Sequence, residues 1–147
     1  MKSILSFLLC SFLLNAQAHS AGPIVISGTG NPAAVFCDKV RGQLVVVESD
    51  KQKTTFCAIG KAMVGQWALL SAVVHHSYRQ AIEGLLNSSS CEAGDGVIVN
   101  GQRQDNGSQI SFCEYPDNSI IELETLRGGA QARQNQPLIK MILKTQN

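Results

Sequence analysis

The chain has 147 residues, with 12 lysines or arginines against 11 aspartates or glutamates and a 44% hydrophobic content. That length suits one ordinary domain or two very small ones. The balanced charge gives no electrostatic footprint for nucleic acid, and beyond the N-terminal run no apolar stretch approaches the ~20 residues of a membrane span. No cofactor fingerprint, metal-ligand set or catalytic constellation stands out.

Residues 1–18 read as a secretory signal peptide. Lys2 precedes an apolar run over residues 4–14, and Ala16 and Ala18 flank Gln17 in an A-x-A site, so cleavage is expected after Ala18. Without Lys2 the remaining chain has 11 bases and 11 acids. The reading is a periplasmic or secreted protein with no stable membrane insertion.

Residues 19–30 are expected to form an extended arm with a short strand near residues 24–27. Asn31 then offers a helix N-cap and Pro32 suits the first helical position, where a missing N–H costs nothing. Ala33, Phe36, Cys37 and Val40 share a face, and Gly42 ends this helix as a C-terminal glycine. A strand over 44–48, a polar turn at 50–53 and an alternating strand over 54–59 predict a hairpin. From 61 to 86, Met63, Trp67, Leu70, Val74, Tyr78, Ala81 and Leu85 recur at three- or four-residue spacing, which predicts one long or kinked helix with Trp67 and Tyr78 in its core seam. After a polar break at 87–90, a second helix-and-hairpin unit is expected up to residue 129. A tail over 130–147 follows, in which Pro137 opens an apolar segment that docks on the core.

The second half echoes the first. A glycine follows the first cysteine by five positions in both (Cys37 to Gly42, Cys91 to Gly96), and an aliphatic strand follows each glycine. Ten positions past the second cysteine stands a large apolar residue, Trp67 or Leu123. This is an internal repeat. Four cysteines in an exported chain imply two disulfides, for which three pairings exist. The repeat favours nearest neighbours, Cys37 with Cys57 and Cys91 with Cys113. The fold class expected is α+β: two small helix-plus-β-hairpin modules (31–86 and 87–129), disulfide-stapled and joined by a long helix.

At NPAAVFC the first half resembles short exported bacterial domains of unknown function that carry a hemolysin label. Asn31, Pro32, Ala33, Cys37, Gly42, Cys57 and Trp67 match the first part of their pattern. In FCEYPDNSIIELETLRGG the second half matches the later part, through Cys113, Tyr115, Pro116, Asp117, Asn118, Arg127 and Gly128. The chain then resembles two degenerate copies of such a domain. The resemblance implies an exported, cysteine-stapled α+β module.

Apparent sites are weak. Gly28, Gly30 and Ala33 imitate a dinucleotide-binding turn, but the helix is short and no further βαβ unit follows. His75 and His76 are adjacent, so their side chains diverge by about 100° on a helix, and no sequence-neighbouring acid orients them. Function is therefore expected to be non-catalytic: binding another protein in the periplasm, as an inhibitor or an immunity protein against a toxic hydrolase. Glu114, Asp117, Glu122 and Glu124 form the candidate acidic partner-binding segment. The alternatives are a secreted membrane-active protein, as the hemolysin label suggests, and a structural envelope component.

Overall fold

The computed structural model describes residues 30–144. The expected signal peptide and most of the arm with its strand lie outside the described residues.

The first helix, α1 (Pro32–Lys39), starts as its sequence dictates. The Asn31 side chain accepts a hydrogen bond from the Ala33 N–H at 3.0 Å, and Pro32 occupies the first turn. Its end differs from expectation. Arg41, not Gly42, adopts the left-handed conformation (φ 60°), and the Gly42 N–H donates to the Cys37 carbonyl at 2.8 Å. Gly42 is required instead by crowding, because a Cβ there would lie 2.5 Å from Cys57 Sγ and 2.8 Å from Cys37 Sγ. The second half repeats the device: Asp95 has φ 56°, and a Cβ on Gly96 would sit 2.8 Å from Cys91 Sγ and closer still to Cys113 Sγ.

Three strands follow, β1 (Gln43–Glu48), β2 (Lys53–Ile59) and β3 (Ala62–Gly65), and then α2 (Gln66–Val74). A short helix α3 (Gln80–Glu83) runs into a π-helical turn at Gly84–Ser88 and a 3₁₀ turn at Glu92–Gly94. The second half supplies β4 (Val97–Arg103), β5 (Gln109–Glu114), β6 (Ile120–Glu122), α4 (Leu123–Gly128) and, after a 3₁₀ turn, α5 (Gln136–Lys144). The six strands close into one antiparallel barrel in the order β1-β2-β3-β6-β5-β4.

This overturns the expected architecture. The two hairpins are not separate modules, and no long helix joins them. Residues 62–65 form a third strand buried along its whole length, and α2 stops at Val74, where His76 (φ 51°) breaks the spiral. Each half contributes three strands, and each bonds to the other at two seams. β3 pairs with β6 at Val64↔Ile121, and β1 with β4 at Val47↔Arg103 and Glu48↔Gln102. The hairpin registers correspond: Cys57 faces Val64 as Cys113 faces Ile121.

Strand alternation divides the core in two. Val45, Val47, Phe56, Met63, Phe112 and Ile120 fill the barrel. Phe56 and Phe112, in equivalent positions of the two halves, meet edge to face at its centre with ring centroids 5.4 Å apart. Even ~8 strands leave an interior that side chains can fill, so this narrower barrel is solid. The opposite strand faces, with Cys57, Val64, Cys113 and Ile121, are covered by helices. Cys37 bonds to Cys57 and Cys91 to Cys113, each with Cα atoms 5.7 Å apart. The pairing favoured by the repeat is the one present. Each bridge fastens the segment before a hairpin to that hairpin's second strand, and both place the folded chain in an oxidising, extracytoplasmic setting.

Candidate functional site

Side chains fill the barrel interior, and the clefts of interest open on its surface. Two clefts occupy corresponding places in the two halves. The first, about 410 Å³, lies between the start of β2, the β3–α2 junction and the β5–β6 turn; Thr54, Gln66, Trp67, Arg79, Glu114 and Ile120 are among its lining residues. The second, about 670 Å³, lies between β5, the β6–α4 junction and the β2–β3 turn, with Ile110, Glu122, Leu123, Glu124 and Lys61 in its lining.

Structural register fixes which residues correspond. Val64 matches Ile121, so Gly65 matches Glu122, Gln66 matches Leu123 and Trp67 matches Glu124. The equivalence of Trp67 with Leu123 expected from spacing is one residue out, because the β5–β6 connection is one residue longer than a strict copy. The expected core position of Trp67 is likewise corrected. It is the second residue of α2, is 50% exposed, and stands in the first cleft.

The two helix starts differ chemically. In α4 the Glu122 carboxylate accepts from the Thr125 N–H at 2.7 Å and from Thr125 Oγ1 at 2.6 Å, which caps the helix. In α2 the cap is Gly65, with no side-chain acceptor for the first-turn N–H groups. Gln66 beside it is 8% exposed, and its buried Oε1 has no hydrogen-bond partner. Leu123, its counterpart, is apolar and 7% exposed. The fold thus accepts leucine where the first half buries an unpaired amide carbonyl.

The four acidic residues singled out from sequence are divided by the fold. Glu114 lines the Trp67 cleft and accepts from Gln52 Nε2 at 3.1 Å. Glu122 and Glu124 line the opposite cleft, and Glu124 is exposed. Asp117 organises the β5–β6 turn: it accepts from Ser119 N and Oγ and from the Gln80 N–H at 2.9 Å. Burial pushes the Asp117 carboxyl up, but the hydrogen bonds from Ser119 and Gln80, with the nearby Arg79 charge, outweigh it and hold the group below its ordinary value. Tyr115 is pushed up by burial and by the charges of Glu92 and Asp117; its hydroxyl donates to the Ser90 carbonyl at 3.3 Å.

His75 and His76 are exposed at the end of α2. Among the described residues no group of three or more His, Cys, Asp or Glu side chains could hold a metal ion, and no helix is long and apolar enough to cross a membrane. The sequence pointed to the acidic residues but missed Gln66. Its signal was present only as a polar residue beside an aromatic at a strand-to-helix junction.

No protein family, curated protein or solved structure matches the chain. The likeness to hemolysin-labelled domains therefore rests on the quoted motif residues alone.

Proposed function

We propose that this chain is an exported, non-catalytic binding module of the bacterial periplasm or extracellular space, matured by cleavage after Ala18. In this reading it acts on a partner protein as an inhibitor or an immunity protein against a toxic hydrolase. The observation that carries it is the half-open β1–β4 seam. Arg103 N–H donates to the Ser108 carbonyl, whereas Gln104 N–H donates across to Val46. Alternate residues of β4 therefore face β5 and β1, and Ile98 and Asn100 direct their backbone groups to the β1 side, where no described strand reaches. In β1, Ser49 N–H donates to Gln52, so Leu44 likewise faces outward past the end of the pairing with β4.

These edges carry apolar side chains. Leu44 is 41%, Ile98 40% and Val97 61% exposed, and a shallow depression of about 1030 Å³ runs along the seam past Glu48, Asn100 and Gln102. An extended segment of a partner can add a strand at such an edge, with backbone hydrogen bonds giving affinity and side-chain contacts giving specificity. Two disulfides hold the template rigid, which lowers the ordering cost of binding. The membrane-active alternative has less support. The amphipathic helix α5 turns Leu138, Ile139 and Ile142 into the core, where a lipid surface does not meet them.

The test is affinity capture from periplasmic extract with the mature oxidised protein as bait, alongside the double variant Leu44→Pro/Ile98→Pro. Neither residue's N–H serves its own hairpin, so proline blocks the edges while sparing the barrel. A stoichiometric partner held by the native bait and lost by the folded double variant supports the reading. Equal capture by both, or no partner for folded native bait, refutes it.

A further inference from the structure

The Trp67 cleft is independent of the β1–β4 seam, and comparison of the two halves within one molecule isolates what is unusual about it. The second half fills its equivalent position with apolar Leu123 and caps α4 with the Glu122 carboxylate, so no buried amide stands there. The first half, on the same backbone plan, has an uncapped helix start, a buried and unpartnered Gln66 Oε1, and a half-exposed tryptophan beside it. A buried acceptor without a donor is unfavourable. Asn135 Oδ1 is the other such atom among the described residues, but its amide is anchored by two hydrogen bonds from Nδ2, whereas Gln66 lines a cleft from which a donor can be supplied.

The lining narrows the chemistry of that visitor. The charged side chains are already engaged: Lys53 Nζ lies 3.6 Å from the Glu48 carboxylate, Glu114 accepts from Gln52, and the Arg79 guanidinium donates to the Asp117 carbonyl at 3.0 Å and to Ser71 Oγ at 3.4 Å. Charges of both signs, Lys53 and Arg79 beside Glu114, share the lining, so the cleft as a whole selects neither an anion nor a cation. A purely apolar ligand would leave the Gln66 carbonyl unpaired. The first turn of α2 offers N–H donors without a side-chain acceptor, and Gln66 offers a carbonyl without a donor; a hydroxyl group serves both. Trp67 adds a flat face whose π electrons attract weakly polarised C–H groups. A pyranose ring presents those two aspects together, an apolar C–H face and a rim of hydroxyl or acetamido groups. We propose that the Trp67–Gln66 cleft is a saccharide-binding site, with Trp67 stacking on a sugar ring and Gln66 accepting from its N–H or O–H group.

Trp67 is the chain's single tryptophan, so its intrinsic fluorescence reports on the cleft directly. The mature oxidised protein would be titrated with tri-N-acetylchitotriose and, separately, with cellotriose. These supply the amide N–H donor and the hydroxyl donor on similar rings. A saturable change in emission with either sugar supports the site, and the better probe identifies the donor that Gln66 accepts. Isothermal titration then allows Trp67→Ala and Gln66→Leu to be compared with the native chain, and each should weaken binding at least tenfold. Glu124→Ala, at the equivalent place in the other cleft, should bind as the native chain does. No saturable response to either trisaccharide in the folded native protein would overturn the proposal. Binding unchanged by Gln66→Leu or Trp67→Ala, or weakened equally by Glu124→Ala, would also overturn it.

Discussion

Replacing Gln66 with leucine should make this protein more stable, the reverse of the usual outcome for a change at a buried position. The native amide is 8% exposed and its Oε1 is buried without a partner. An unsatisfied buried polar group costs about 1–3 kcal/mol, and a leucine already occupies the corresponding place, Leu123, at 7% exposure. Allowing for imperfect fit among neighbours shaped around glutamine, Gln66→Leu should stabilise the fold by about 1–2 kcal/mol. For a chain of this size ~1 kcal/mol moves the thermal midpoint by roughly 4 °C, so a rise of roughly 4–8 °C is expected. Differential scanning calorimetry on the oxidised protein measures the midpoint, and urea unfolding with an unchanged m-value shows that the folded state has not loosened. A midpoint equal to or below that of the native chain would refute the reasoning, because it would mean that the amide is already paired or that the site does not accept leucine. Gln66→Glu sharpens the test. It puts an ionisable carboxyl in the same place, so it should be destabilising at neutral pH and less so in acid, where the carboxyl is protonated.

Gly42→Ala and Gly96→Ala should each lower stability by about 1–3 kcal/mol or more, because the new methyl group collides with the adjacent disulfide; thermal unfolding of the two variants should show similar losses. Removing the first bridge with Cys37→Ala/Cys57→Ala, which closes a separation of 20 residues, should cost about 3 kcal/mol by the chain-entropy estimate, read as a lower urea midpoint. Asp117 has a folded-state value below its ordinary one, so its contribution is complete above the ordinary aspartate range and is lost as pH falls through the lower folded value. Asp117→Asn should therefore flatten the acid limb of stability against pH, measured by urea midpoints between neutral and strongly acidic buffer.

The parts legible in the sequence were those set by local chemistry. Asn31 and Pro32 start α1 as expected, and the β1–β2 hairpin falls within a residue of its expected limits. The cysteine spacing led to the correct bridges. Closure of the barrel was not legible, because it depends on β3 and β6, strands of four and three residues. In β3 every residue is buried, so the alternation that marks a strand is absent, and Met63 and Trp67 fall equally well on a helical period. The break after Val74 was hidden for another reason: His76, not a glycine or proline, takes the left-handed conformation. Trp67 was misplaced because hydrophobicity says nothing about which face of a helix is covered. The candidate acidic residues were visible as charges, but the inward duties of Asp117 and Glu122 come from turn and cap geometry. Gln66 could not be recognised without knowing that its counterpart is Leu123 and not Glu122.

The sharing of the barrel between the halves sets a condition on how such a chain could come into being. Half of this molecule, taken alone, is an open three-stranded sheet with the outer edge of β3 unpaired and one face of Phe56 uncovered. Its natural complement is another copy of itself, since β3 meets β6, its own equivalent, and Phe56 meets Phe112. A single-unit ancestor with this plan would have been a symmetric dimer, with two identical clefts. Fusion into one chain would remove the requirement that both clefts stay alike, so that one junction can carry a carboxylate cap while the other carries a tryptophan and an unpartnered amide carbonyl.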